Sequence, residues 1–124
     1  MPTPPRPTDS ELEILTVLWS TGPATVREVH AVINRRRAAE YATVLKFLQI
    51  MAEKSLVRRN EQQRAHVYEA ARPREWTQKQ LAGDLLERAF NGSAKALLMG
   101  TLSARKASAE ELAEMRKMLD EYGK

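Results

Sequence analysis

Apolar residues recur at helical spacing along most of this chain, and the interruptions divide it into elements. Leu12, Leu15 and Trp19, widened by Ile14 and Leu18, predict a first amphipathic helix, with Ser10-x-x-Glu13 as its capping box and structure starting at Thr8-Asp9-Ser10-Glu11. Gly22-Pro23 ends that helix. Thr25-x-x-Glu28 is a second capping box, and Val26, Val29 and Ile33 then follow on one face. This helix runs into Arg35-Arg36-Arg37, cations that suit a helix C-terminus. A third helix is expected from Ala39 to Lys54. At about 100° per residue, Tyr41, Val44, Leu45, Phe47, Leu48, Met51 and Ala52 share one arc. The opposite arc holds Ala42, Thr43, Lys46, Gln49, Ile50 and Glu53. One side is core and the other small, polar or basic, with Ile50 the odd member.

After Ser55 the texture changes. Leu56-Val57-Arg58-Arg59-Asn60 and Ala65-His66-Val67-Tyr68-Glu69-Ala70 are β-capable runs flanking Glu61-Gln62-Gln63-Arg64, which predicts a two-stranded hairpin closed off by Pro73. Residues 74–122 read as helical throughout. Trp76, Leu81, Leu85, Leu86, Ala89 and Phe90 mark one helix ending near Asn91-Gly92. Ala94, Leu97, Leu98 and Leu102 mark a shorter one. Ser108-x-x-Glu111 caps a third, with Leu112, Met115, Leu119 and Tyr122 on one side. Three helices in about fifty residues do not readily enclose a private core. Their apolar stripes imply packing against a second copy, with Leu81, Leu85, Phe90, Leu97, Leu98, Leu112, Met115 and Leu119 as the expected dimer contacts.

Charge sharpens this division. The chain of 124 residues has a net charge of +4, and all of the excess lies in residues 1–74, which hold 12 Lys/Arg against 8 Asp/Glu. Residues 27–64 alone carry nine basic and four acidic side chains. A basic half joined to a balanced half suggests a polyanion-binding module, and a solvated basic face without a partner is the competing reading. The expected organisation is a proline-rich disordered tail (1–7), a binding domain (8–73) and a helical dimerisation domain (74–124). No apolar run approaches the ~18–20 residues of a membrane span, and Met1 to Pro7 lack the apolar core of a secretory signal, so a cytoplasmic location and no membrane association are expected.

The absence of cysteine excludes disulfides, thiolate metal sites and cysteine catalysis. With His30 and His66 the only histidines, no metal and no cofactor are expected. The glycines are scattered singly, so there is no phosphate-cradling loop, and no Gly-x-Ser-x-Gly elbow exists. Ser93 and Ser108 have capping or linker roles, so an enzyme is not expected.

Three helices followed by a hairpin, with positive charge in excess, is the order of a winged helix-turn-helix: mainly α, with a small β wing. In that arrangement the third helix enters the major groove of double-stranded DNA. Its outward face then needs short or flexible polar side chains, which Ala42, Thr43, Lys46 and Gln49 supply, with Ala42, Thr43 and Lys46 as the main base readers, against which stands Lys46 as a merely solubilising lysine. Thr25, at the start of the second helix, can present backbone N–H groups to a phosphate. Arg37, from the basic run, and Arg58, Arg64 and His66, from the hairpin, are candidates for backbone contact. Tyr41 is divided between core packing and a phosphate. A winged-helix protein-interaction or antitoxin-like module with only non-specific DNA affinity is the alternative.

The segments Ser10-Glu11-Leu12-Glu13-Ile14-Leu15 through Leu18-Trp19, Thr25-Val26-Arg27-Glu28-Val29, Tyr41-Ala42-Thr43-Val44-Leu45-Lys46 and Ala52-Glu53-Lys54-Ser55-Leu56-Val57 carry a family resemblance. By them the chain resembles the BlaI/MecI (penicillinase repressor) family of bacterial transcriptional regulators. The resemblance continues through Ala65-His66-Val67-Tyr68, Phe90-Asn91-Gly92 and Glu110-Glu111-Leu112, in one colinear order over roughly residues 8–122. It implies a homodimeric repressor that binds a palindromic operator through the winged helix and dimerises through the C-terminal helices. In the family, a sensor-protease pathway relieves repression by cleaving the C-terminal domain at an Asn-Phe bond. The aligned stretch here, Leu97-Leu98-Met99-Gly100-Thr101, has Met99-Gly100 at that place, and the cysteine motif of the copper-responsive branch is absent. Leu45, Lys46 and Ile50 also depart from the family's usual recognition helix, which implies a different operator.

Overall fold

The structure, a computed structural model, describes residues 5–62 and 64–124. Residues 1–4 of the expected tail, and Gln63 in the expected hairpin loop, lie outside the described residues. Along the chain run α1 (Asp9–Thr21), β1 (Ala24–Thr25), α2 (Val26–Arg36), α3 (Tyr41–Glu53), β2 (Val57–Asn60), β3 (Val67–Ala70), α4 (Arg74–Ala89), α5 (Ala94–Ala104) and α6 (Ala109–Tyr122). The architecture is a mainly helical winged helix. Two compact units divide between Leu81 and Ala82, so α4 begins in the first and continues in the second.

In the first unit, α1, α2 and α3 pack around Ile14, Leu18, Val29, Ile33, Leu48 and Met51, each at most 2% exposed. Burying one such side chain is worth about 1.5–3 kcal/mol. The sheet is antiparallel with strand order β1-β3-β2. Its hub is Tyr68, which pairs with Ala24 on one side and Arg59 on the other and is 1% exposed. The expected two-stranded hairpin is therefore a three-stranded sheet. Two residues of β1 are too few to show a period of two, and only pairing with β3 defines them as strand.

Helix ends correct the sequence reading in two more places. The first capping box is formed by Thr8 and Glu11, not by Ser10 and Glu13: the Thr8 hydroxyl accepts from the Glu11 amide and the Glu11 carboxylate accepts from the Thr8 amide. Both pairs have the right spacing, and tertiary partners choose between them. Lys54 reaches Glu11, whereas Glu13 turns to Arg37. The third helix starts at Tyr41 rather than Ala39, because Ala39 is held by α2 in a turn. Its amide donates to Asn34 Oδ1 (3.1 Å) and its carbonyl accepts from His30 Nε2 (2.7 Å). The box at Thr25 and Glu28 forms as expected. After α3, Ser55 adopts φ 65° while the Leu56 amide donates to the Met51 carbonyl at 2.9 Å.

Around the start of α4, the Trp19 indole donates to the Arg72 carbonyl (3.0 Å), Arg74 lies over the Trp19 ring and Arg72 over Trp76. In the second unit, Asn91 (φ 50°) and Gly92 (φ 80°) end α4, and Ser93 and Ser108 cap α5 and α6. Neither α5 nor α6 has a buried residue, and Leu98, Met99, Met118, Leu119 and Tyr122 are exposed.

Candidate nucleic-acid interface

The exposed side of α3 carries two parallel ridges at i, i+4, i+8 spacing. Tyr41, Leu45 and Gln49 form one and line an open cleft of about 790 Å³. The start of α2 (Thr25, Val26, Arg27, Glu28) and the wing (Arg59, Arg64, Ala65, His66, Tyr68) complete its walls. Ala42, Lys46 and Ile50 form the second ridge, which with Thr43 and Phe47 borders a separate shallow concavity. The structure thus gathers Thr25, Tyr41, Arg64 and His66 at the cleft, and Ala42, Thr43 and Lys46 on the adjoining ridge.

Tyr41 does not belong to the core, as its place in the apolar arc suggested. It is 48% exposed, because the first residue of α3 overhangs the core, and the His30 ring meets it edge-on at 5.8 Å between centroids. Leu45, assigned to the same arc, is only half-buried and reaches the cleft.

Strand parity separates the wing arginines. Arg59 pairs across from Tyr68 and shares its face, so it sits beside Gln49. Hydrogen bonding to the Tyr68 hydroxyl, and then the charge of Glu61 at 2.6 Å, hold the Arg59 guanidinium above its ordinary pKa. Arg58 pairs across from Glu69 on the opposite face, where it donates to the Ala71 carbonyl. Arg37 lies away from the cleft and binds Glu13 at 2.5 Å, an ion pair that raises its pKa through the hydrogen bond first and the opposite charge second. Among the described residues, Arg27, Lys46 and Arg64 make no ion pair and present free cations. Gln49, expected on the outward face of the third helix, lines the cleft, and Arg27, which the sequence does not mark as a site residue, lines it too. The capping box identified the start of α2, but only the folded wing shows that Arg27 borders the same cleft.

The helix terminus at Thr25 is partly used. The Glu28 amide donates to the Thr25 hydroxyl, and the Thr25 amide donates to the Glu28 carboxylate, whose pKa is lowered by that backbone bond first. The amides of Val26 and Arg27 are the ones that remain at the helix start. No group of three or more His, Asp or Glu side chains converges among the described residues. None of the described helices is long and apolar enough to cross a membrane.

The sequence profile described as "Penicillinase repressor" matches residues 7–121. The chain belongs to the penicillinase repressor family. Its similar relatives include proteins named "Transcriptional regulator BlaI" from two strains of Mycobacterium tuberculosis (CDC 1551 / Oshkosh and ATCC 25618 / H37Rv). Each is 36% identical over 115 residues, covering 91% of this chain and 82% of the relative. Among solved structures, the solution structure of the DNA-binding domain of the repressor BlaI superposes with a TM-score of 0.53 at 22% identity, covering 60% of this chain and 90% of that domain. The penicillinase repressor chain therefore shares the winged-helix fold of that domain. Its relatives are transcriptional regulators, not enzymes.

Proposed function

We propose that this penicillinase repressor family member is a cytoplasmic, homodimeric repressor that binds a palindromic DNA operator through α3 and the wing. The observation that carries the reading is the convergence of Arg27, Arg64 and His66 with the Tyr41–Leu45–Gln49 ridge of α3 around one open cleft, the Ala42–Lys46–Ile50 ridge bordering a separate concavity on the same helix. A helix flanked by cations on a neighbouring helix start and on a wing suits a major groove whose phosphates lie on both sides. Residues 8–73 form the DNA-binding domain in this reading, and residues 74–124 the dimerisation domain. Support for the latter comes from α5 and α6, neither of which has a buried residue, and from Leu85 on α4, Leu98 on α5 and Leu119 on α6, exposed at 47%, 37% and 60%. Two recognition helices related by a two-fold axis read two half-sites about one duplex turn apart, or a small multiple of it.

Lys46, Thr43 and Ala42 discriminate bases, whereas Arg64, His66 and the start of α2 at Thr25 contact the phosphate backbone, with Tyr41 at the edge of the groove; Arg37 and Arg58, expected beside them, are held away from the cleft by Glu13 and by Glu69 and Ala71. Release by a sensor protease has weaker support, because Met99-Gly100 stands where the resemblance calls for an Asn-Phe bond. The test is selection of bound duplexes from a randomised pool at two salt concentrations, with sedimentation to give the oligomeric state. An inverted repeat bound by a dimer, with affinity falling steeply in salt, supports the reading. Weak binding with no enriched sequence favours the protein-interaction alternative.

A further inference from the structure

Resting on the operator reading above, the geometry points to thymine 5-methyl groups as a principal feature recognised by α3. The readout face of this helix is unusually apolar for a surface that must meet DNA. Ala42 is exposed and Ile50 is half-exposed on one ridge, with half-buried Phe47 behind them, and Leu45 stands between Tyr41 and Gln49 on the other. Lys46 is the sole cation on these two ridges.

Singly exposed apolar residues are ordinary, but Ala42, Phe47 and Ile50 line one concavity together, and a contiguous apolar surface of this kind marks a contact with an apolar partner. Within the major groove the apolar feature is the thymine methyl, which distinguishes T·A from every other pair at that edge. Gln49 strengthens the assignment. Its amide can pair in bidentate fashion with adenine N7 and N6, and it lies one turn from Leu45, so that ridge suits an A·T pair through both of its bases. The occupant is DNA rather than a protein. A stripe of about six residues is far short of the 20–30 per side of a stable protein interface, and the free cations of Arg27 and Arg64 flank the cleft beside it. Ile50, the residue that did not fit the polar face of α3, thereby acquires a role.

The experiment starts from the duplex enriched by selection and replaces its thymines with uracil, one at a time. Uracil keeps every hydrogen bond and removes only the methyl. Each methyl buried against Ala42, Leu45 or Ile50 is expected to cost about three- to fourfold in affinity, the equivalent of ~0.8 kcal/mol per methyl-sized group. The salt slope stays unchanged, because no phosphate contact is lost. Ile50→Ala is expected to abolish the penalty at one position and leave the others intact. The uracil series stands without that variant should it fold poorly. An enriched duplex indifferent to every uracil substitution overturns methyl recognition while leaving the operator reading in place. Failure to enrich any duplex overturns both.

Discussion

The contact that fixes the end of α3 provides the sharpest test of the physical account. Glu11, in the first turn of α1, is 2% exposed. One carboxylate oxygen accepts from the Thr8 amide at 2.9 Å and the other from Lys54 Nζ at 2.8 Å, across 43 residues of sequence. Burial pushes the Glu11 pKa up, and the Lys54 and Thr8 hydrogen bonds with the Lys54 charge more than offset it, leaving it below 4.5. A carboxyl with a lowered folded pKa contributes stability that is fully present above its unfolded value and is lost as pH falls through its folded value. The pair therefore stabilises the protein at neutral pH and weakens below about pH 4.5.

Lys54→Met removes the ammonium and keeps the stem. The carboxylate then stays buried with the Thr8 amide as its remaining partner. Breaking a fully buried pair costs about 3–5 kcal/mol. Here the Lys54 side chain is 34% exposed, so water enters its place, and the cost falls to roughly 2–3 kcal/mol. Glu11→Gln costs less, about 1 kcal/mol, because the stranded ammonium reaches solvent and the amide oxygen can still accept from Thr8. Urea unfolding followed by tryptophan fluorescence reads this directly, since Trp19 and Trp76 both lie in the first unit. The Lys54→Met deficit should shrink as pH is lowered toward and below 4.5, where protonation removes the stranded charge. Equal costs for the two substitutions at pH 7, or a Lys54→Met deficit that does not change with pH, would refute the argument.

Ser55→Gly relieves a left-handed residue at φ 65° and is expected to raise stability by about 0.5–1 kcal/mol, measured by the same urea unfolding. Gly83→Ala, in the interior of α4 with nothing within 4 Å of the added methyl, should stabilise by about 0.5–1 kcal/mol, read as a higher melting temperature. Leu48→Ala, at a position with 0% exposure, should cost about 2–5 kcal/mol in thermal or urea melts. Arg64→Ala should weaken all duplexes alike and lower the salt slope by about 1, whereas Lys46→Ala should change which sequence is preferred; equal losses on specific and random DNA would contradict base reading by Lys46.

Features fixed by neighbours along the chain were legible in the sequence. The Thr25–Glu28 capping box, the Gly22-Pro23 stop and the Ser108 cap involve residues within one turn of each other. Features fixed from a distance were not. Thr8 and Ser10 both begin a capping-box spacing, and only Lys54 and Arg37, brought in by folding, decide between them. Arg58 and Arg59 are adjacent and chemically alike, and their division between the outer face and the cleft depends on the register that sets Arg59 opposite Tyr68. Helical periodicity placed Tyr41 in the core arc correctly by angle, but Tyr41 lies at the edge of the core, and Val44 is the first residue of α3 to be buried in it.

These long-range contacts share a purpose in how α3 is held. Glu40, which precedes it, makes no side-chain cap. The start is instead fixed from α2, through His30 and Asn34 on the Ala39 backbone, and the end from α1, through Glu11 on Lys54. Val44, Leu48 and Met51 anchor the inner face between those points. Because positioning comes from the two ends and the buried side, with Leu45 also packed against the core, Ala42, Lys46 and Gln49 on the two ridges are left out of the core. Substitutions at Ala42, Lys46 or Gln49 should therefore alter what the helix recognises with little change in stability, while substitutions at Glu11, His30 or Lys54 should disturb the fold and affinity without redirecting sequence preference. On the operator reading, that separation lets the side chains of Ala42, Lys46 and Gln49 change without disturbing how the helix is held.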